Sequence, residues 1–357
     1  MPLALMTLIY TIYLIDRYRP SLVIVGLLIF GLFFPFLLNG VLFDPSYMSD
    51  QFRYVRCASE LRSQLSCLDS PSVQFASAMF ALSPAPFVES ILSISLINRL
   101  FFLMMIHFLF QLGFLWRPVI LFFLLVPSIQ IYSAVALRDN LIFLSFFMCL
   151  FCLFSRRYFL LFIFLPILFF LRPYFVVGVV TVPVMLLVVR SGKFSNIGVT
   201  LCLFFFCLIL SDIFLSDLIL PIFNDIKLAF FYENGGLGEF VRLTSVSESV
   251  ADGISRFLFS FTLLTEGGGL QYIVALESII LLCYFGVLVW SAPNNARWLQ
   301  LIFPSIFLGA MIAVFVYNDG TLSRYLYPIK ASICAILLAC NLVSVKTGAN
   351  QRDKFVL

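Results

Sequence analysis

Arginine and aspartate recur in this chain at places where the surrounding sequence is almost wholly apolar. Arg138-Asp139 opens one apolar run, Arg172-Pro173-Tyr174 closes the next, and Arg156-Arg157 joins the two. Asp50-Gln51-Phe52-Arg53-Tyr54-Val55-Arg56 stands earlier, and Asp319, Arg324 and Tyr325 share a polar stretch near the end. A guanidinium presents a planar fork of donors that matches phosphate oxygens and keeps its charge. A carboxylate beside it can take the proton of an attacking hydroxyl. The chemistry that these residue types allow is therefore grip on a diphosphate plus general-base work. Arg53, Arg56, Arg138, Arg172 and Arg324 are the candidate pyrophosphate ligands. Asp50, Asp139 and Asp319 are the candidate catalytic carboxylates, with Asp44 and Glu60 next; Tyr174, Tyr325 and Arg99 stand in support. Plainer roles compete. An arginine at the end of a span can snorkel to lipid headgroups, and an acid can simply pair with its arginine neighbour, most plainly in Arg138-Asp139.

These residues need elements to carry them. The 357 residues are 62% hydrophobic and 11% charged, with a mean hydropathy of +1.08. Soluble domains carry about 25% charged residues, so the composition points to a polytopic membrane protein. Backbone polar groups in lipid must be satisfied internally, and continuous apolar runs without alternation favour helices over a barrel. The expected fold is all-α, a bundle of about eleven transmembrane helices: 2–15, 21–43, 89–116, 119–136, 141–155, 158–171, 174–189, 197–216, 272–291, 299–317 and 326–345. An alternative starts the third after Arg99, leaving 72–97 as an interfacial or re-entrant piece broken at Ser83-Pro84-Ala85-Pro86. The first run lacks a basic leader and reads as a retained helix rather than a cleaved signal. Runs 141–155 and 158–171 form a hairpin whose basic turn lies on one side, so that Arg138 and Arg172 lie together on the other.

Alternating the loops places eleven of the 22 Lys and Arg on one side, against only Asp16 and Asp353. The positive-inside rule then puts the N-terminus outside and the C-terminus inside. Two long segments, 44–88 and 217–271, fall on the outer face, and spare polar chain on one face usually carries function. Both are expected to hold interfacial helices, and the second contains apolar pieces that suit them. Residues 1–345 read as a single integral domain and 346–357 as a cytoplasmic tail.

Several function classes find no support. There is no nucleotide-binding glycine motif, no HExxH and no Cys/His cluster, so neither nucleotide nor metal is expected. Seven of the nine cysteines lie in apolar runs; Cys57 and Cys67 share a polar loop and can bond in an oxidising compartment. His107, the one histidine, sits within a run of Phe, Leu and Met, where a packed, hydrogen-bonded ring outweighs a proton relay. Lys330, two residues past Pro328, is expected to pair within the bundle.

The order of an Asp-bearing outer loop, ALRDNLIFL, a hairpin ending LRPYF and a late RYLYP resembles the Wzy-type O-antigen and polysaccharide polymerases, and more broadly the C-type membrane glycosyltransferases. The resemblance covers roughly 44–175 and 318–345. It departs from the pattern in its 217–271 loop, which has Lys227, Arg242 and Arg256 but no histidine. It implies a bacterial inner-membrane enzyme that joins undecaprenyl-pyrophosphate-linked repeat units on the periplasmic face. It implies no cofactor, and as partners membrane lipids, a chain-length regulator and a flippase, with no nucleic acid. Two other functions stay open. One is a transferase using a polyprenyl-phosphate sugar, where two acids sometimes hold a divalent metal. The other is a lipid-linked glycan flippase or transporter, which would place charge mid-membrane and show internal symmetry.

Overall fold

The structure is a computed structural model that describes residues 2–83, 90–113, 116–155, 157–176 and 178–180, the helix Asp319–Lys346, and scattered positions between 220 and 312. The described residues are helical, with no strand among them. The chain divides into two compact units, Met1–Val176 with Cys334–Leu357, and Val177–Ile333. The expected span 197–216, nearly all of 299–317, most of 174–189 and 272–291, and nearly all of the 217–271 loop lie outside the described residues.

In the first unit, α1 (Pro2–Tyr18) packs along α6 (Ile91–Gln111). Tyr10 Oη lies 2.6 Å from His107 Nδ1, and Tyr18 stacks on Phe110 at 4.9 Å. His107 is thus a packed, hydrogen-bonded ring, with Gln111 Nε2 3.1 Å from its second nitrogen.

α2 (Leu22–Gly31) begins a helical stretch, Leu22–Val41, that is not straight. Pro35 lies in the short α3 (Phe34–Phe36), and Asn39 and Gly40 leave helical geometry, Gly40 at φ 123. Such a φ costs a residue with a Cβ but not glycine. Leu22–Val41 and Ile91–Gln111 are the two described helices long and apolar enough to cross a membrane.

The span expected at 119–136 is a single helix in the sequence reading; the structure corrects it. α7 (Arg117–Leu125) stops at Val126, α8 (Pro127–Tyr132) restarts at once, and 133–138 is non-helical. Pro127 lacks an N–H and pushes the residue before it out of the helical region, and Val126 is accordingly extended at ψ 113.

α9 (Asp139–Phe154) follows and is apolar and buried on nearly every side, as a helix at the centre of a bundle must be. Its rings interlock with its neighbours. Phe123 of α7 meets Phe143 at 5.4 Å and Phe147 at 5.0 Å, and Phe108 of α6 meets Phe151 at 5.4 Å. After Ser155 ends α9, α10 (Tyr158–Leu171) starts past Arg157 and runs back along α9. Its other face presents Phe159 and Phe162 outward, each 79% exposed.

Two shorter helices lie between α3 and α6. α4 (Asp50–Gln64) and α5 (Pro71–Ala81) pack together, Tyr54, Cys57 and Ala58 facing Val73, Ala76, Ser77 and Phe80. A disulfide joins Cys57 to Cys67, so the loop after α4 turns back along it before α5 begins. The final helix, α11 (Asp319–Lys346), already includes 319–325, the stretch expected as a polar link between spans. That expectation is corrected too: the residues before Tyr325 extend the helix by two turns rather than forming a loop.

Candidate functional site

The site is built where three helices begin. α4 brings Asp50, Gln51 and Arg53; α5 brings Ser72; α9 brings Arg138 and Asp139. Direct contacts tie them together. Gln51 Oε1 accepts from the Ala136 N–H at 2.7 Å, and the Arg138 guanidinium donates to Ser72 Oγ. α10 closes the same end of the hairpin with Arg172, and Phe170, two residues before it, stacks on Phe75 of α5 at 5.1 Å.

The non-helical segment 133–138 is the strap that delivers Arg138, and every residue in it is buried. Irregular backbone away from water needs partners for its polar groups. Asparagines supply them: Asn39 Nδ2 donates to the Ala134 carbonyl at 3.1 Å, and Asn98 Nδ2 to the Val135 and Leu137 carbonyls at 2.7 Å each. Asn140 Nδ2 in turn donates to the Asn98 carbonyl at 2.9 Å. Asn98 of α6, Asn39 at the kink and Gln51 of α4 thus clamp the strap, and the position of Arg138 follows from theirs.

Arg138, Asp139 and Arg172 are all buried, at 5%, 1% and 4% exposure. An arginine that merely snorkels keeps its head in water or headgroups, so burial argues against that role for these two. Arg172 is extended at φ −161 and ψ 94, the region enforced on a residue before proline, and its guanidinium lies 5.7 Å from the ring centre of Tyr174. The ring face thereby adds a cation–π contact.

Arg53 and Arg56 are more open, and both turn to a residue that sequence reasoning missed. Arg53 donates to Asp69 from Nη2 at 2.6 Å and from Nε at 3.4 Å, and Arg56 Nη2 reaches the same carboxylate at 3.5 Å. Asp50 is 4.0 Å from Arg53, and Glu60 is 3.8 Å from Arg56. The Asp69 side chain is only 5% exposed and also accepts the Ser70 N–H at 2.7 Å. Its partial burial disfavours the charged form, but the bonds from Arg53 and Ser70 and the charge of Arg56 outweigh it, and the carboxyl is held below its usual range. Arg53 is correspondingly pushed up by its bond to Asp69, against the burial that opposes it. The one sequence signal for Asp69 was its place two residues after Cys67, since a bond to Cys57 brings it back alongside Arg53 and Arg56.

Arg99 lies deeper, completely buried within α6. Its Nη1 donates to Gln130 Oε1 at 2.8 Å and to Ser133 Oγ at 2.9 Å. Asp319, Arg324 and Tyr325 lie in the part of α11 that belongs to the second unit, and their side chains lie outside the described residues. Among the described residues no three metal-binding side chains gather. The first unit therefore assembles Arg53, Arg56, Arg138, Arg172, Asp50, Asp139 and Asp69 at one end of its bundle.

Chemically this end is suited to an anion. Three helices present their N-termini there, whose partial positive charge favours phosphate or carboxylate. Buried guanidinium groups add fork-like donors in a medium of low dielectric, where each bond is stronger than in water. Comparison with protein-family models, with curated proteins and with solved structures finds no match to this chain.

Proposed function

We propose that this chain is a polytopic membrane glycosyltransferase of the polysaccharide-polymerase kind. It takes a glycan from an undecaprenyl-pyrophosphate carrier and joins it to a second lipid-linked repeat unit on the periplasmic face of the bacterial inner membrane. About eleven helices cross the bilayer in this reading, with the hairpin turn on the cytoplasmic side. The observation that carries it is the junction of Arg138, Ser72 and Gln51, where the buried arginine meets the beginnings of α4 and α5 at the end of the bundle that also holds Arg172. The disulfide adds to it, because such bonds persist in oxidising compartments and the loop that holds it borders the site.

In this reaction the acceptor hydroxyl oxygen attacks the anomeric carbon of the donor glycan. The bond from that carbon to the pyrophosphate oxygen breaks, and undecaprenyl pyrophosphate departs with the electron pair. Arg138 and Arg172 bind the diphosphate and stabilise the charge that grows on it as the bond breaks. Arg53 and Arg56 extend the grip toward solvent. Asp50, half-exposed at the rim, is placed to take the acceptor's proton, whereas Asp139, next to Arg138 in the chain, is buried. The donor is already activated, so no nucleotide is needed.

Gel analysis of surface glycan from a strain lacking the gene tests the reading. A single repeat unit on the lipid core is the expected product. Complete absence of the glycan would instead indicate a flippase or an earlier step, and a normal ladder of lengths would refute the proposal.

A further inference from the structure

Arg99 is a full positive charge at 0% exposure, and among the described residues no carboxylate compensates it. Its Nε and Nη2 meet no acceptor. Taking an ion out of water costs several kcal/mol unless a partner offsets it, so an arginine here needs a reason beyond stability. Its contacts supply one. Nη1 bridges Gln130, inside α8, and Ser133, the residue that ends it. Gln130 Nε2 donates to the Phe123 carbonyl at 2.9 Å, back across the Pro127 break, and Ser133 Oγ to the Gln130 carbonyl at 3.0 Å. The guanidinium sits 4.9 Å from the centre of the Phe102 ring and at the carbonyl end of α8, where a cation is favoured. Gly31 of α2 makes room: a Cβ at that position would fall on Nη2 and lie 2.7 Å from Cζ.

We propose that Arg99 is a positioning residue: by crosslinking Gln130 to Ser133 against Gly31 it sets α8 and the strap 133–137, and through them the placement of Arg138. The asparagines hold the strap from α6 and from the Asn39 kink, and Arg99 fixes the short helix from which it springs. This inference rests on the diphosphate-binding reading for its consequence, not for its geometry.

The test uses the full-length protein in detergent or membranes, with Arg99→Met, Gly31→Ala and the double variant. Hydrogen exchange reports the strap directly, because the Ala136 N–H is held by Gln51. Either single change should speed exchange of the 134–137 amides about tenfold or more while the middle of α9 stays protected. Gly31→Ala should add nothing once Arg99 is Met, since the side chain it collides with is gone. Both single variants should also lose the long glycan ladder at normal membrane levels. Unchanged exchange in the strap overturns the proposal, as does faster exchange with a normal ladder. A Gly31→Ala effect that persists in the Met background removes the steric coupling and overturns it as well. If deletion of the gene leaves the ladder intact, the polymerase reading fails, while the exchange arm still decides whether Arg99 sets the strap.

Discussion

Removing the Cys57–Cys67 bond should loosen the site from its solvent side. The bond closes a loop over a sequence separation of 10. Chain-entropy arguments give about 3 kcal/mol for a loop of that size. That free energy acts on a small region, the segment 65–70 and the start of α5, rather than on the apolar bundle. The Cys57→Ala/Cys67→Ala double variant should therefore remain inserted and helical. Its Asp69 should lose the confinement that keeps it beside Arg53 and Arg56, and Ser72 its place under Arg138. Hydrogen exchange over 65–74 should rise by up to two powers of ten, as about 3 kcal/mol implies, with α9 and α10 unchanged. Labelling adds a second arm. In intact cells a maleimide reagent that cannot cross the inner membrane should reach Cys57 and Cys67 only after a reductant is supplied. Labelling of both thiols without reductant would refute the bond, no labelling even after reductant would refute the oxidising location, and unchanged exchange in the double variant would refute the coupling to Asp69.

Four other outcomes are expected. Arg138→Ala and Arg172→Ala should each abolish polymer without removing the protein from the membrane, and lysine should rescue poorly because the fork is lost; a normal glycan ladder in either alanine variant contradicts this. Asp69→Asn keeps the Ser70 bond but drops the charge that occupies Arg53 and Arg56, so inorganic pyrophosphate should bind about tenfold tighter by calorimetry, a gain of roughly 1.4 kcal/mol; equal or weaker binding goes against the arrangement. The same variant bears on acid stability. Asp69 titrates lower in the folded chain than in the unfolded one, so its stabilisation is complete above about pH 4 and is lost as pH falls through the folded value; a melting curve series should show a shallower acid limb for Asp69→Asn. Phe123→Ala should cost about 3–5 kcal/mol, because the ring is fully buried between Phe143 and Phe147, and thermal unfolding in detergent will read it.

The hairpin α9–α10 was legible because charge and proline punctuate it. Runs expected at 141–155 and 158–171 appear as Asp139–Phe154 and Tyr158–Leu171, ended by the basic turn and by Pro173. Connectivity alone then places Arg138, Asp139 and Arg172 at one end. The helical character of 50–56 and the ion pair of Asp50 with Arg53 were legible for a similar reason, since spacing along one helix determines which side chains meet. The break at Val126–Pro127 was readable from the proline but was overridden by the length of the apolar run.

Composition and punctuation by themselves determined that the chain is helical, where its central hairpin starts and stops, and which arginines share an end of it. These are properties of short stretches, set by hydrophobicity, by charge and by the missing amide of proline. The tertiary structure decided the rest: that Asp69 is the carboxylate facing Arg53 and Arg56, that Ser72 receives Arg138, and that Arg99 reaches Gln130 and Ser133 past a glycine in α2. Each of these joins residues far apart in the chain, or brought together by a loop that a disulfide turns back. No periodicity encodes such pairs, because they arise only when helices pack and backbone away from water must find its partners.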